Sequence, residues 1–418
     1  MRFSRLKVMA WRQYYDVDLT FHSRLTVLTG ANGAGKTTIL NLLGRFYGWN
    51  TPLVSTPRGS RTTGAIEYFA GILDKVRSLF AARESAALPR HGVGTLSFSD
   101  GTTAQLSVPE SVEPTFQLNI SPLVPLAGLN IPSHRPVYNY SSVASIPTGA
   151  LGRRQLFDAY HTSVRTKYYN QWNQETPGKT LKQDLIALAM FGYGNEAVQG
   201  NSEAVDIYQG FEKLLRLVLP PELGFEKLSI RNPEVVLVTR GGDFSLDAIS
   251  GGIASIIDIT WQIYTYAPAS EEFVVTFDEP ENHLHPKLQV RLLPTLVEAF
   301  PKAQFIIATH NPLIIGSYPE ASVYALRYNE EGLVESVLLD LKEKAGTAND
   351  ILRDVLGLAY TMPIWAAQRL ETVLAEFRHR PITKESLRDL RSQLTEIGMS
   401  EVVPEAISSV LDGRPDLS

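Results

Sequence analysis

The chain has 418 residues, of which 44% are hydrophobic and 20% are charged, as in ordinary soluble globular proteins and unlike disordered, collagen-like or coiled-coil chains. Its 39 Lys and Arg and 44 Asp and Glu residues give a net charge of −5, and cysteine is absent; disulfides, thiolate metal sites and cysteine nucleophiles are excluded, and no global positive field favours nucleic acid. Since neither a signal-peptide core nor a run of about 18 apolar residues occurs, we expect a cytoplasmic protein without a membrane partner.

The N-terminal region predicts a strand, a glycine loop and a helix in succession. Phe3 to Val8 and Val17 to Thr29 alternate apolar and polar residues as strands do, and the second run ends in an apolar stretch typical of a buried strand. Helical spacing follows over Thr37 to Phe46. After a loop that is rich in Pro and Gly, the spacing predicts another helix over Ile66 to Arg83.

The middle of the chain changes character twice. Asp100-Gly101 lies between two alternating runs and predicts a hairpin within a small β unit over about Gly94 to Val124. Leu151 to Leu219 predicts a helical insertion without long heptad repeats. Strand character returns at Leu228 to Val238 and then alternates with helices, as in a doubly wound sheet, before Ala345 to Ser418 predicts a helical tail.

A phosphate-binding loop is predicted after the first buried strand. Gly30-Ala-Asn-Gly-Ala-Gly-Lys36-Thr37 fits the pattern G-x-x-x-x-G-K-[ST] between a strand and a helix. Main-chain N–H groups can wrap a phosphate chain there, Lys36 can reach the β- and γ-phosphates, and Thr37 can bind Mg²⁺. The predicted cofactors are therefore ATP and Mg²⁺, and the predicted contacts in the loop are Gly30, Asn32, Gly33, Gly35, Lys36, Thr37 and Thr38.

A second acidic element follows an apolar strand. Glu272-Phe-Val-Val-Thr-Phe-Asp278-Glu279 places two carboxylates where a buried strand ends, at the edge of the sheet that also carries the phosphate loop. Asp278 can hold Mg²⁺ directly or through water, and Glu279 can polarise the attacking water.

The order of these motifs carries more information than any one of them. Ser250, Gly251 and Gly252 open a predicted helix before Asp278, and Thr309-His310 follows it. The succession of phosphate loop, signature Ser-Gly, acidic strand and switch histidine resembles that of the ABC-type ATPases. The resemblance gives His310 a catalytic role beside Glu279.

The detailed sequence is similar to the SMC, RecF and OLD-like branch of that class. Asp278-Glu-Pro-Glu-Asn-His-Leu-His-Pro286, Ala308-Thr-His-Asn-Pro312 and Ala10-Trp-Arg-Gln-Tyr14 look like its motifs. The resemblance implies that Arg12 lies near the nucleotide and that Asn282 to His285 faces a second protomer. It further implies that Ser250 contacts the γ-phosphate held by that protomer in a head-to-tail dimer.

The predicted fold class is α/β, a P-loop ABC-type ATPase domain with a small β unit, a helical insertion and a helical C-terminal tail. Its two sequence halves are predicted at residues 1–50 and 225–340, the mixed insertion at residues 51–224 and the helical region at residues 341–418.

Several sequence features allow more than one interpretation. The glutamine that normally follows the first helix in the class is unassigned, with Gln105 and Gln117 as candidates. Arg135, in a polar and aromatic stretch, is either a contact to nucleotide or nucleic acid or part of a surface connection. The basic and aromatic residues from Arg153 to Tyr169 suit phosphate contacts or a solvated helix face. A metal site at Glu281, His283 and His285 is disfavoured, because two His two residues apart point in different directions.

The predicted function is that of an ATP-dependent switch that forms a homodimer and regulates a separate effector, a nuclease or toxin, with nucleic acid as a further partner. The long insertion and Thr347 to Arg353 resemble ATPase subunits of the Septu, PARIS and retron antiphage systems. The alternatives are a RecF- or SMC-type DNA repair ATPase, an OLD-type nuclease and a transporter subunit. The short chain after Tyr328 argues against an OLD-type nuclease, and the long insertion argues against a transporter subunit.

Overall fold

The chain forms two units, residues 1–348 and residues 349–418. The computed structural model describes residues 1–59, 66–73, 91–110, 112–135, 138–148, 152–169, 176–268, 271–339, 364–378, 380–381, 383–396, 403 and 407. No helix within these ranges has the length and apolarity needed to cross a membrane.

The first unit is built around strands that begin almost at the N-terminus. In chain order they are β1 (Phe3–Trp11), β2 (Tyr14–Thr20), β3 (Leu25–Gly30), β4 (Leu53–Val54), β5 (Thr56–Gly59), β6 (Ile66–Phe69), β7 (Gly92–Phe98), β8 (Thr103–Ser107), β9 (Thr115–Phe116), β10 (Asn119–Ser121), β11 (Gly128–Ile131), β12 (Phe225–Arg231), β13 (Glu234–Thr239), β14 (Gly242–Ser245), β15 (Phe273–Asp278), β16 (Ala303–Ala308), β17 (Ser322–Tyr328) and β18 (Val334–Leu339).

Eleven of these strands form one mixed sheet in the order β10-β8-β7-β1-β2-β18-β17-β3-β16-β15-β11. Strands β17, β3, β16, β15 and β11 are parallel neighbours, whereas β10, β8, β7, β1 and β2 are antiparallel. Carboxyl ends of parallel strands meet at one sheet edge. The loops after β3, β15 and β16 therefore lie side by side, and this confirms the α/β fold class.

The described helices follow in chain order, and the last two lie in the second unit. They are α1 (Lys36–Gly44), α2 (Arg153–Tyr168), α3 (Pro177–Tyr193), α4 (Ser202–Val218), α5 (Gly251–Tyr266), α6 (Pro286–Ala299), α7 (Pro312–Ile315), α8 (Ile364–Arg378) and α9 (Lys384–Glu396).

Local sequence explains where the insertion helices begin. Thr176 accepts a hydrogen bond from the main-chain N–H of Lys179 before α3, and Pro177 occupies the first helical position. Asn201 caps α4 through Glu203 and Ala204 in the same way. The predicted helical insertion over Leu151 to Leu219 is thus present in α2, α3 and α4.

A hydrophobic core lies between the antiparallel half of the sheet and α1. Phe3, Phe46 and Phe98 form an aromatic group with ring centroids 5.4 to 5.6 Å apart. Leu43 on α1 and Leu96 on β7 are completely buried in the same cluster. Burial of such side chains stabilises by about 2 kcal/mol each, so α1 is held firmly behind the loop that precedes it.

One prediction is wrong and another is confirmed. The helix predicted over Ile66 to Arg83 is wrong at its start, because Ile66–Phe69 is strand β6, paired with β5; its β-branched and aromatic residues favour a strand. The remainder from residue 74 lies outside the described residues. The predicted hairpin at Asp100-Gly101 is formed by β7 and β8, and it joins the main sheet through β1.

The second unit has its own apolar cluster. Leu370, Leu374 and Phe377 on α8 are buried with Leu390 and Leu394 on α9. These positions recur at helical spacing, as predicted for the tail. Thr347 to Arg353 and the apolar tail positions Leu352, Val355 and Leu356 lie outside the described residues.

Candidate nucleotide site

The phosphate loop joins β3 to α1 and depends on glycine at two positions. Gly30 and Gly35 have φ values of +127° and +94°, a region that side chains disfavour. A Cβ on Gly30 would lie 2.2 Å from the carbonyl oxygen of Leu326, and one on Gly35 would lie 2.2 Å from the hydroxyl of Tyr14. Since the Tyr14 hydroxyl donates to Gly35 O at 2.7 Å, the neighbouring strand also fixes the loop.

Lys36 folds back over this loop. Its Nζ donates to Gly30 O at 2.8 Å and to Ala31 O at 3.0 Å. Burial lowers its pKa, and the negative charges of Asp278 and Glu279 oppose that change. An ammonium held only by main-chain oxygens can exchange them for phosphate oxygens, which are stronger, charged partners.

Thr37 and Asp278 bring together a hydroxyl and a carboxylate from α1 and the end of β15. Thr37 Oγ1 donates to Asp278 Oδ2 at 2.9 Å. Burial raises the pKa of Asp278 to about 6, and the hydrogen bond from Thr37 opposes the rise. Mg²⁺ prefers oxygen ligands and usually one or two carboxylates. The oxygens present therefore fit the metal predicted there.

Glu279 follows in a strained turn and is held from two sides. It has φ of +46°, and its main-chain N–H donates to Ala308 O at 2.8 Å. Asn282 Nδ2 donates to Glu279 Oε2 at 3.0 Å, while His310 Nδ1 lies 3.4 Å from Glu279 Oε1. The carboxylate, one-third exposed, is thus oriented toward open space and not buried by its neighbours. Left-handed φ at a non-glycine residue is often found at functional sites.

Glu281 and Thr309 brace the same turn. Glu281 is 6% exposed, and Thr309 Oγ1 donates to its Oε1 at 2.5 Å. Burial raises the pKa of Glu281. His285, in turn, caps α6 by accepting from Lys287 N at 3.4 Å. In the described residues Glu281 and His285 have these structural partners, which differs from the convergent geometry of a shared metal site.

Arg135 is a feature of the site that sequence reasoning left between two interpretations. It follows β11, is 7% exposed, and donates to Glu279 O at 2.6 Å and to Asp278 O and Asn282 O at 3.3 Å. Its guanidinium lies 4.9 Å from the ring centroid of Phe277. Burial lowers its pKa to about 10. Arg135 therefore holds the acidic turn, residues Asp278 to Asn282, through main-chain oxygens.

The predicted signature Ser250 lies at the N-terminus of α5. It caps the helix with φ −63° and ψ 151°, yet its side chain makes no capping hydrogen bond. A Cβ on Gly252 would lie 2.9 Å from His283 O, so the signature packs against the turn after Glu279 in the same chain. Ser250 and Gly251 are exposed.

The N-terminal strand turn lies at the other side of the phosphate loop. Arg12 has φ of +54°, and its Nη2 donates to Val54 O at 3.5 Å. The next residue, Gln13, has a long contact of 3.5 Å from Nε2 to Gly33 O. Gln13 is thus a loop neighbour that sequence reasoning missed, since a single glutamine after a strand carries no signal of its own.

Neither candidate for the class glutamine is fixed at the site by a described hydrogen bond. Gln117 lines a small pocket with Thr38, whereas Gln105 is exposed on β8, in the antiparallel half of the sheet. A larger cleft of about 880 Å³ has Thr37, Asp278 and Glu279 on one side. Its other side is lined by the insertion, including His134, Lys167, Tyr168 and Tyr169.

Two family models match parts of the chain. Residues 5–75 match a model described as "AAA domain", and residues 206–316 match one described as "AAA domain, putative AbiEii toxin, Type IV TA system". The first segment contains the phosphate loop, and the second contains the predicted signature, the acidic turn and His310. Together they agree with the P-loop ATPase fold.

Two relatives carry the names of Septu and retron systems. The chain is 35% identical over 91 residues to the Septu protein PtuA of Bacillus mycoides (strain KBAB4), covering 21% of this chain and 13% of the relative. It is 32% identical over 91 residues to the "Retron Vc95 probable ATPase" of Vibrio cholerae serotype O1 biovar El Tor, covering 20% of this chain and 18% of the relative. The matches therefore span less than a fifth of these relatives. They confirm the predicted resemblance to ATPase subunits of such systems.

A solved SMC head domain from Thermotoga maritima aligns with 81% of this chain and 99% of its own length, at 13% identity and a TM-score of 0.42.

Proposed function

We propose that the protein binds and hydrolyses ATP, closes head to tail into a dimer around ATP, and thereby regulates a separate effector, a nuclease or toxin, in prokaryotic antiphage defence. The observation that carries this proposal is the convergence of Thr37, Asp278, Glu279 and His310 at the carboxyl ends of three adjacent parallel strands.

In this proposal each group has one task. Lys36 and the main-chain N–H groups of the loop bind the phosphates, and Thr37 and Asp278 hold Mg²⁺. The metal supplies charge that offsets the negative phosphate oxygens. Glu279 accepts a hydrogen bond from the attacking water and orients it toward the γ-phosphate. His310, beside the same carboxylate, would contact the γ-phosphate or the attacking water, with ADP as the leaving group.

The position of Ser250 supports the proposed dimer. Its hydroxyl makes no capping hydrogen bond, and it stands exposed at the N-terminus of a 16-residue helix, where main-chain N–H groups and the helix dipole favour an anion. Within one chain the signature packs on the turn at His283. A γ-phosphate held by a second protomer would supply the anion.

The composite site is tested by mixing two inactive variants. Ser250→Arg should bind ATP yet fail to hydrolyse it, and Lys36→Ala should fail to bind it. A mixture should regain hydrolysis, because a mixed dimer pairs one intact Lys36 with one intact Ser250. A mixture that stays inactive while both variants are folded would contradict the shared site.

The defence role and the separate effector are supported by the names of the Septu and retron relatives and by the commitment of Asp278 and Glu279 to ATP. Nuclease chemistry with two metals needs a further carboxylate cluster. The purified chain should therefore leave DNA and RNA uncut with ATP and Mg²⁺ or Mn²⁺. Cleavage that persists in Glu279→Gln but is lost on changing Asp350 or Asp354 would favour a single-chain nuclease.

A further inference from the structure

A buried lysine in the insertion uses all three of its ammonium protons. Lys182, on α3, is completely buried. Its Nζ donates to Asp247 Oδ2 at 2.6 Å, to Glu234 Oε2 at 2.7 Å and to Ser141 O at 2.9 Å. An ammonium has three donors and no acceptor, so its hydrogen-bonding capacity is filled by three separate segments of the chain.

The strongest of these contacts reaches the turn that leads into the signature helix. Asp247 lies three residues before Ser250, in the single helical turn Leu246–Ala248, and its side chain is only 4% exposed. The main-chain N–H of Ser141 also donates to Asp247 Oδ2, at 3.3 Å. One carboxylate oxygen is therefore the meeting point of the insertion and the turn before Ser250.

The charges around Lys182 explain why a cation is needed at this position. Burial lowers the pKa of Lys182, but the hydrogen bonds to Asp247 and Glu234 raise it above its ordinary value. Without Lys182 the carboxylate of Asp247 would be a buried charge with only the main-chain N–H of Ser141 and no cation beside it among the described residues, which is strongly unfavourable. Without the lysine the turn would have to move outward to hydrate this carboxylate.

We propose that Lys182 is a positioning residue for the signature Ser250 and, through it, for hydrolysis of the ATP bound by the partner protomer. The inference rests on the proposed dimer. It assigns to the helical insertion a direct part in placing the element that completes the neighbouring site.

The proposed role of Lys182 predicts an experimental outcome that a purely structural role does not predict. Lys182→Met keeps the length and apolar body of the side chain and removes the charge. We expect ATP binding by the variant to stay at the wild-type level, because Lys36, Thr37 and Asp278 are intact. We expect hydrolysis by the homodimer to fall about tenfold or more, since small displacements of a positioning group have such effects.

The direction of the defect is tested by mixing variants. Lys182→Met mixed with Lys36→Ala should regain as much hydrolysis as Ser250→Arg mixed with Lys36→Ala, because both lesions act on the site of the other protomer. In the double variant Lys36→Ala/Lys182→Met mixed with wild type, each mixed dimer should add only about a tenth of the activity of an intact site. Lys213→Met, an exposed lysine on the insertion helix α4, serves as the matched control and should behave as wild type.

Two results would overturn the inference, and a second variant covers a failure to fold. If Lys182→Met with Lys36→Ala stays inactive while Ser250→Arg with Lys36→Ala recovers, Lys182 acts on its own ATP site, and only this inference fails. If neither mixture recovers, the composite dimer fails and takes the inference with it. If Lys182→Met does not fold, Asp247→Asn, which keeps the shape of the turn, takes its place in the same mixtures and must show the same recovery.

Discussion

Two groups of carboxylates in the first unit differ in how their charge is offset. Glu234 and Asp247 share the ammonium of Lys182 at 2.7 and 2.6 Å, and this cluster lies mostly inside the protein. Its charges are satisfied by the chain itself. The pairing offsets part of the desolvation cost of these buried charges.

The carboxylates after β15 have cations nearby that are turned away from them. Lys36 donates to carbonyl oxygens of the phosphate loop, and Arg135 donates to carbonyl oxygens of the acidic turn. Burial raises the pKa of Asp278 to about 6. In the Lys182 cluster the carboxylates are paired with a cation of the chain, and this pairing fixes the local structure. At the acidic turn the nearby cations contact carbonyl oxygens instead, and there we propose that Mg²⁺ and ATP bind.

The largest effect is expected at Lys36. Lys36→Ala should weaken ATP binding by about 100-fold or more, because it removes the cation that contacts several phosphate charges. Fluorescent-nucleotide titration measures the affinity, with Lys213→Ala as a matched control. Wild-type affinity in Lys36→Ala would contradict the assignment of the loop.

The next effect separates binding from turnover. Glu279→Gln should keep ATP binding and lower hydrolysis by about 10²-fold, because the amide cannot accept the proton of the attacking water. Phosphate release measures the rate, and Glu298→Gln, on the exposed side of α6, is the matched control. Unchanged turnover would make His310 the next candidate for the base.

Replacing Arg135 tests whether the acidic turn needs this buried cation. Arg135→Met should reduce hydrolysis by about tenfold with ATP affinity retained, because three carbonyl oxygens of the turn lose their donor and Glu279 shifts. A KM and kcat series separates the two effects. Equal loss in affinity and in turnover would indicate a collapsed site and not a displaced base.

The smallest effect on ATP hydrolysis is expected at another carboxylate, Asp184 on α3, whose ionisation acts on stability. Its Oδ2 is buried without a hydrogen-bond partner among the described residues, and burial raises its pKa to about 8 from the ordinary 3.8. The folded state therefore binds this proton more tightly than the unfolded state. Stability is fully present below about pH 4 and falls as pH rises toward about pH 8.

Asp184→Asn should remove this fall. Between about pH 5 and about pH 8 the free energy of unfolding of the wild type should drop by about 4 kcal/mol more than that of the variant. Urea unfolding at the two pH values measures the difference. Parallel pH dependence in the two proteins would show that Asp184 is ionised in the folded state.

Sequence reasoning reached the phosphate loop and the acidic strand because each is a local pattern with a local cause. The glycines at positions 30 and 35 meet steric limits that only glycine satisfies, and the apolar run before Asp278 is a buried strand. Sequence reasoning did not identify Lys182, because its partners Glu234 and Asp247 are 52 and 65 residues away. A buried lysine within a helix looks like an ordinary surface residue until the fold is known.

The same limit explains the other differences. Arg135 acts through main-chain oxygens 143 and more residues away, and such contacts leave no residue-type signal in the sequence. Ile66 to Phe69 has apolar spacing that suits a helix or a strand, and pairing with Thr56–Gly59 decides for the strand. The roles of Arg12, Ser250 and His310 stay predictions, and Ser250→Arg tests that of Ser250.

The central claim, that ATP joins two protomers and hydrolysis separates them, is tested most directly by the mass of Glu279→Gln in solution. With ATP and Mg²⁺ the variant should have twice the mass of one chain by light scattering, and with ADP the mass of one chain. Glu279→Gln/Ser250→Arg should keep the single-chain mass under both conditions. An equal mass of Glu279→Gln with saturating ATP and with ADP would contradict the claim.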